Sequence, residues 1–282
     1  MKPDLLIVAT YKSWIADEFA ETGYVDVKHS LGLEVPIFPE DKPVAWWMPT
    51  EVAARFARAG AELNLATIDA HWLTTLPEDL LGRDIWVGTA RQALDLGMKE
   101  LAYCKPAEVK ISAAPAQWIE VDYFVNSLLQ LGVPEEIKIQ VTKTFLDIRY
   151  EYRCFVNQKQ VTTIATYLTT TGVFGQDGFT RNLSGEVLAA DYAQRAVAAI
   201  GENQPCAYTL DIAELATGEL VVMEANPVWA SNPYDCDKTE VVKAVIQGSY
   251  TLGHSKTHGS FQWELDPYLT WYAQRRPLLP KA

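Results

Sequence analysis

The chain has 282 residues, of which 49% are hydrophobic and 21% charged, and its net charge is -12 at pH 7. This length allows a sizeable core and two or three lobes. The negative charge argues against nucleic acid or an anionic membrane as a partner. No stretch approaches the ~18 apolar residues of a membrane span, and the first apolar run is too short for a secretion signal, so we expect a cytoplasmic protein. The sequence leaves a homodimer open.

The N-terminal part alternates strands and helices, which is typical of a small α/β lobe. Short apolar runs predict strands, and Thr50 is a favourable cap for the alanine-rich helix that follows it. The predicted elements are a strand at 4–10, a helix at 13–21, a strand at 44–47, a helix from Thr50 and an apolar strand-like run at 63–68. The next segment, TTLPEDLLGRD, has the composition of a linker.

The remainder of the chain first alternates elements and then becomes rich in strands. A strand at 85–87, a helix at 89–97 and a helical piece at 126–132 are predicted first. From residue 137 the runs IKIQV, RYEYRCFV and VTTIATYL read as strands. A loop rich in Gly and Thr and a helix at 186–200 lead to the segment YTLDIAELATGELVVMEANPVWASNPYDCD.

This last segment predicts a hairpin that brings three oxygen ligands together. Its apolar runs flank Thr217-Gly218, and a turn centred there places Asp211 opposite Glu224. Like charges directly opposite on a sheet are destabilising, so the pair needs a reason. Asn226 lies two residues after Glu224 and shares its face, which completes an oxygen-only set suited to Mg²⁺. The alternative is a solvated acidic hairpin.

Basic residues upstream offer candidate phosphate ligands. Lys105 and Lys110 bracket Pro-Ala-Glu-Val, and their convergence would favour a phosphate between them. Arg153 shares a strand face with Glu151, so it is either part of a surface ladder or a fork aimed at a phosphoryl group. Two independent surface lysines are the alternative for the lysine pair.

Three segments together resemble the R2K clade of the ATP-grasp superfamily. They are YCKPAEVKISAAPAQW, EYRCFVNQKQV and the hairpin segment, which match the clade's KPxxxK, EYRxFV and ExNP patterns in order. The resemblance covers about residues 84 to 240. It implies an α+β ATP-grasp fold, in which two lobes clamp ATP, preceded by the small α/β lobe. The segments expected on this basis are 1–78 for the N-terminal lobe, 79–143 for the small ATP-grasp lobe and 144–282 for the large lobe.

The resemblance also implies roles for the charged residues. Lys105 and Lys110 would hold the α- and β-phosphates of ATP, and Arg153 would meet the γ-phosphate as it is transferred; Lys110 and Arg153 would thus be catalytic as well. Asp211, Glu224 and Asn226 would hold Mg²⁺.

The nucleoside has its own expected contacts. Adenine would lie between the lobes near Val141, Thr142 and Lys143, with Glu151 on the ribose hydroxyls.

The family chemistry implied is an ATP- and Mg²⁺-dependent carboxylate–amine ligation through an acylphosphate, on small-molecule or peptide substrates. A kinase that phosphorylates a hydroxyl and a non-catalytic nucleotide-binding protein are the alternatives. Arg181 is a candidate for the substrate carboxylate, and Trp229 for a pocket wall. Asn232-Pro233 stands where the related pattern often has a small residue before the final aromatic, here Tyr234, which leaves the acceptor pocket undefined.

Overall fold

The structure, a computed structural model, describes residues 3–37, 42–251 and 257–276. These ranges contain twelve strands in three sheets, together with eight α-helices. None of these helices has the length and apolarity needed to span a bilayer.

The first sheet is parallel and belongs to the N-terminal α/β lobe. Its order is β2-β1-β3, and β1 and β3 are buried because their apolar runs are covered by helices. The predicted strand at 44–47 and helix at 13–21 are confirmed. The strand DVKHS was not predicted, because it is polar and largely exposed. The elements are β1 (Leu5–Ala9), α1 (Ser13–Glu21), β2 (Asp26–Ser30), β3 (Val44–Trp47) and α2 (Thr50–Arg58).

Two predictions around residues 63–84 were wrong. The run 63–68 is no strand; only a single bridge joins Ala66 to Gln262. The linker-like segment is ordered, with a 3-10 helix at Ala70–Thr75 and helix α3 at Glu78–Leu81. Its apolar side chains Leu76, Leu80 and Leu81 pack against the third sheet, together with Trp72 just before the segment.

The second sheet is antiparallel, with strand order β4-β7-β5-β6. Lys105 pairs with Gln140 and Tyr103 with Thr142, so these four side chains share one face. The elements are β4 (Trp86–Thr89), α4 (Ala90–Asp95), β5 (Leu101–Pro106), β6 (Gln117–Glu120), α5 (Val121–Gln130) and β7 (Lys138–Thr142).

The third sheet is antiparallel and has the order β10-β9-β8-β11-β12. An 18-residue helix, α6, packs on one of its faces. The elements are β8 (Ile148–Asn157), β9 (Gln160–Thr169), β10 (Gly172–Val173), α6 (Leu183–Ile200), β11 (Ala207–Leu215), β12 (Leu220–Asn226), α7 (Lys238–Ser249) and α8 (Pro267–Arg275).

Two hydrophobic clusters hold these sheets together. One runs from the first sheet through the second sheet to α7 and α8, and the other lies between the third sheet, α6 and residues 68–81. The two clusters do not coincide with the expected segments, because residues 68–78, which were expected in the N-terminal lobe, pack against the third sheet. The limits at 78 and 143 stay predictions.

Candidate active site

The acidic hairpin has the pairing that its sequence predicts. Asp211 lies directly opposite Glu224, and Thr209 lies opposite Asn226. The turn is one residue tighter than expected, since Ile212 pairs with Val222. Met223 is therefore an extra residue in β12, a β-bulge, and it restores the predicted alignment of the two carboxylates.

Arg153 neutralises the first carboxylate. It lies opposite Asp211 on the neighbouring strand β8, and its Nε and Nη2 donate to the two carboxylate oxygens at 2.8 and 2.6 Å. The Arg153 side chain is 7% exposed and that of Asp211 is 0% exposed. Burial raises the pKa of Asp211, although Arg153 opposes this effect. Burial would lower the pKa of Arg153, but the charge and hydrogen bonds of Asp211 together have the larger effect and hold the arginine pKa well above its ordinary value. The guanidinium therefore stays charged.

Lys105 and Asn226 hold the second carboxylate. Lys105 Nζ donates to Glu224 Oε2 at 2.6 Å across the gap between the second and third sheets, and Asn226 Nδ2 donates to Oε1 at 2.9 Å. Burial favours a higher pKa for Glu224, but Lys105, Asn226 and Lys110 together hold that pKa well below its ordinary value. Glu224 is therefore ionised throughout the physiological range.

Lys110 is exposed on the loop after β5, and its charge acts on both Asp211 and Glu224. No carboxylate in the described ranges lies within ion-pair distance of it. The two predicted lysines thus differ: Lys105 is engaged, whereas Lys110 presents an ammonium group that is available to an anion.

The donor set fits Mg²⁺ in type, because Asp211, Glu224 and Asn226 offer only oxygen ligands. The two carboxylates are paired with cations of the protein, Glu224 with Lys105 and Asp211 with Arg153.

Residues 80–244 match the family model described as ATP-grasp domain, R2K clade family 2, which is more than half of the 282 residues. The chain belongs to the R2K clade of ATP-grasp domains. The predicted resemblance and the ATP-grasp fold are thereby confirmed. All the residues proposed for phosphate, metal and nucleoside lie inside the matched range.

Solved ATP-grasp structures resemble the chain at 12% identity. The RimK domain protein ATP-grasp from Sphaerobacter thermophilus DSM 20745 covers 86% of this chain and 96% of its own, with a TM-score of 0.43. D-cycloserine synthetase DcsG covers 86% and 98%, with a TM-score of 0.49. ATP-grasp ligase PsnB, complexed with minimal precursor, covers 82% and 92%, with a TM-score of 0.41. The search of curated proteins found no match.

The residues predicted for the nucleoside lie on two sheets of the ATP-grasp domain, except Lys143, which directly follows β7. Thr142 shares its face with Lys105, whereas Val141 is 2% exposed and packs into the first hydrophobic cluster. Lys143 forms an exposed ion pair with Glu100 at 2.8 Å. Glu151 lies two residues from Arg153 on the same face, and burial raises its pKa, with Asp211 and Glu224 adding to the effect.

Arg181 is fully engaged within the protein. Its Nε and Nη2 donate to the two carboxylate oxygens of Glu186 at 2.8 and 2.6 Å, and Nη1 donates to Asp235 Oδ2 at 2.6 Å. A substrate carboxylate at Arg181 would have to displace Asp235, whose side chain is 53% exposed. The role of Arg181 stays a prediction.

A cavity of about 360 Å³ begins at Lys105, Glu224 and Asn226. It continues between the N-terminal lobe, the second sheet and the segment that leads into α8, and Asp69, Glu108, Lys138 and Asp266 are charged residues of its far wall. Lys138 Nζ bridges Asp69 and Glu108 at 2.6 and 2.9 Å. Burial raises the pKa of Asp266 to about 6.

Trp229 was predicted to form a pocket wall, and this is wrong. Its side chain is fully buried, and its indole N–H donates to the Ala66 carbonyl at 2.6 Å. Trp263, which packs edge-on against Trp229, lines the cavity instead.

The sequence did not predict the stack that Tyr167 and Tyr234 form beside Arg153. Tyr167 and Tyr234 stack with ring centroids 4.8 Å apart, and the guanidinium of Arg153 lies 5.4 and 5.1 Å from the two centroids. Tyr234 has a φ of 46°, which is uncommon for a residue with a side chain. The proline before Tyr234 was the available signal, since it marks an irregular turn.

Proposed function

We propose that this ATP-grasp domain protein is an ATP- and Mg²⁺-dependent carboxylate–amine ligase. The observation that carries the proposal is the opposed pair Asp211 and Glu224, each of which is held by a cation suited to phosphate. When a polyphosphate binds Arg153 and Lys105, the two carboxylates can bind a metal ion in place of these cations. Family membership supports ATP as the polyphosphate.

Each group of site residues has a separate role in phosphoryl transfer. Lys105 and Lys110 bind the α- and β-phosphate oxygens, and Arg153 stabilises the charge that develops on the γ-phosphoryl group. Asp211, Glu224 and Asn226 would hold Mg²⁺, which would neutralise negative charge on the polyphosphate. Loss of one such contact in a water-excluded site is expected to cost about 3 to 4 kcal/mol of transition-state stabilisation.

The substrate carboxylate supplies the nucleophile. A carboxylate oxygen attacks the γ-phosphorus, the bond to the bridging oxygen of ADP breaks, and an acylphosphate forms. The amine then attacks the acyl carbon, phosphate leaves with the electron pair of the C–O bond, and the amine proton is lost to solvent or a base. The product is an amide.

The cavity next to Lys105, Glu224 and Asn226 supports this assignment as the substrate site. Its lining includes the residues proposed for phosphate and metal, which supports an acceptor site next to them, and the carboxylates Asp69, Glu108 and Asp266 favour an amine. We place adenine on the Thr142 side of the second sheet, with Glu151 near the ribose.

A phosphate-release screen with pools of amino acids and short peptides tests the proposal. We expect ADP and phosphate only when a carboxylate and an amine are both present, and mass spectrometry should find the amide. A stable phosphorylated product would instead indicate a kinase. Tight binding of Mg²⁺·ATP without turnover in any pool would indicate a non-catalytic nucleotide-binding protein.

A further inference from the structure

Arg83 is a buried arginine whose hydrogen-bond partners are backbone carbonyls. It is 5% exposed, and no carboxylate in the described ranges lies within ion-pair distance of it. Its Nη1 donates to the Leu81 and Val222 carbonyls at 2.9 and 2.8 Å, and its Nη2 donates to the Met223 carbonyl at 2.9 Å. Burial lowers the pKa of Arg83 to about 10, with Glu224 opposing, so it is charged at neutral pH. A buried charge without a counter-ion is costly, which calls for a specific role.

The two β12 carbonyls that Arg83 binds belong to consecutive residues. In a regular strand consecutive carbonyls point to opposite edges, so a single side chain cannot reach both. β12 lies at the end of the third sheet, and its bulge is at Met223. The bulge explains how Val222 and Met223 both present their carbonyls to one guanidinium.

Gly82 allows this close approach. It has a φ of +61°, and a Cβ at this position would lie 2.6 Å from Val221 Cγ1. Two adjacent residues therefore contact β12 close to its bulge. Gly82 can approach closely because it has no side chain, and Arg83 donates hydrogen bonds to the strand.

We propose that Arg83 is a positioning residue that holds β12 in the bulged register and thereby turns Glu224 to the face of Asp211. Without the bulge, the register that pairs Ile212 with Val222 would continue along the strands and place Met223 opposite Asp211. Glu224 would then point to the other face of the sheet, because a slip of one residue exchanges the faces. What Glu224 binds rests on the proposed function, whereas the control of the register rests on the backbone contacts alone.

Three substitutions separate the donors of Arg83 from its charge. Arg83→Met removes both, Arg83→Gln keeps amide donors without charge, and Arg83→Lys keeps the charge without the planar fork. Arg195→Met is the matched control, because Arg195 is exposed on α6 and stacks on Tyr192. Two quantities are measured for each: hydrogen exchange of residues 219–227 without nucleotide, and calorimetric affinity for Mg²⁺·AMP-PNP.

We expect Arg83→Met to speed exchange in β12 but not in β8 or β9, and to weaken Mg²⁺·AMP-PNP binding at least about tenfold. Arg83→Gln should fall between Arg83→Met and the wild type, and Arg195→Met should match the wild type. If Arg83→Met does not fold, selective loss of β12 protection in Arg83→Gln supports the proposal.

Other outcomes overturn the proposal. One is that the Arg83 variants have wild-type exchange and affinity, and another is that exchange changes evenly over the third sheet. A third is that Arg83→Lys keeps wild-type exchange and affinity whereas Arg83→Gln does not, because the charge of Arg83 would then be the feature that matters. A wild-type protein that does not bind Mg²⁺·AMP-PNP would count against the proposed function instead, and the exchange data would still decide the role of Arg83.

Discussion

At the scale of single residues, each carboxylate of the opposed pair in the candidate site is paired with a cation of the protein. The sequence predicted that Asp211 and Glu224 face each other, because hairpin pairing is local. It did not predict that Arg153 binds Asp211 or that Lys105 binds Glu224, since both contacts depend on which strands and sheets become neighbours. Residue identity therefore indicated the chemistry, and tertiary packing decided the partners.

The buried ion pair makes a prediction for stability. Arg153→Met leaves the fully buried Asp211 carboxylate without its partner, and we expect a loss of about 3 to 5 kcal/mol in the free energy of unfolding. The double substitution Arg153→Met with Asp211→Asn removes the charge as well and should recover much of that loss. Urea denaturation of the single and double variants measures both values. Strictly additive losses would contradict a coupled pair.

At the scale of elements, the hairpin and the segment before it are linked in a way that local sequence does not show. The strands β11 and β12 could be predicted from their alternating and apolar runs, but the bulge at Met223 could not, because it compensates for a tighter turn. The segment 74–84 resembles a linker in composition. Its apolar residues become a core face only once the third sheet is present to receive them.

Gly82 tests the fit between this segment and β12. Gly82→Ala places a Cβ against Val221, and we expect a loss of about 1 to 3 kcal/mol in the free energy of unfolding from overpacking. Gly97→Ala is the matched control, since Gly97 has a φ of +64° and no atom within 4 Å of the position that a Cβ would take. Thermal and urea unfolding should show a larger loss for Gly82→Ala, and Val221→Ala should relieve part of it. Equal losses at the two glycines would show that backbone strain alone matters.

At the scale of the whole molecule, the second and third sheets meet at the charged centre of Lys105, Arg153, Asp211 and Glu224, and a cavity extends from Lys105 and Glu224 toward the N-terminal lobe. The order of elements and the motifs predicted an ATP-grasp fold behind an α/β lobe, and the family match confirms the ATP-grasp fold. The limits of the lobes were not predictable in the same way. The first hydrophobic cluster spans the N-terminal lobe, the second sheet and the last helices. The lobes expected from the sequence therefore do not correspond to separate hydrophobic cores. The cavity wall is likewise assembled from distant segments.

The central claim is that the opposed carboxylates form the metal half of a nucleotide site. Calorimetric titration of Mg²⁺·AMP-PNP into the wild type, Glu224→Gln and Glu219→Ala tests it most directly, because Glu219→Ala removes an exposed carboxylate from the turn of the same hairpin. We expect binding by the wild type and Glu219→Ala, and an affinity weaker by at least about tenfold for folded Glu224→Gln. Equal affinity in all three proteins would contradict the claim.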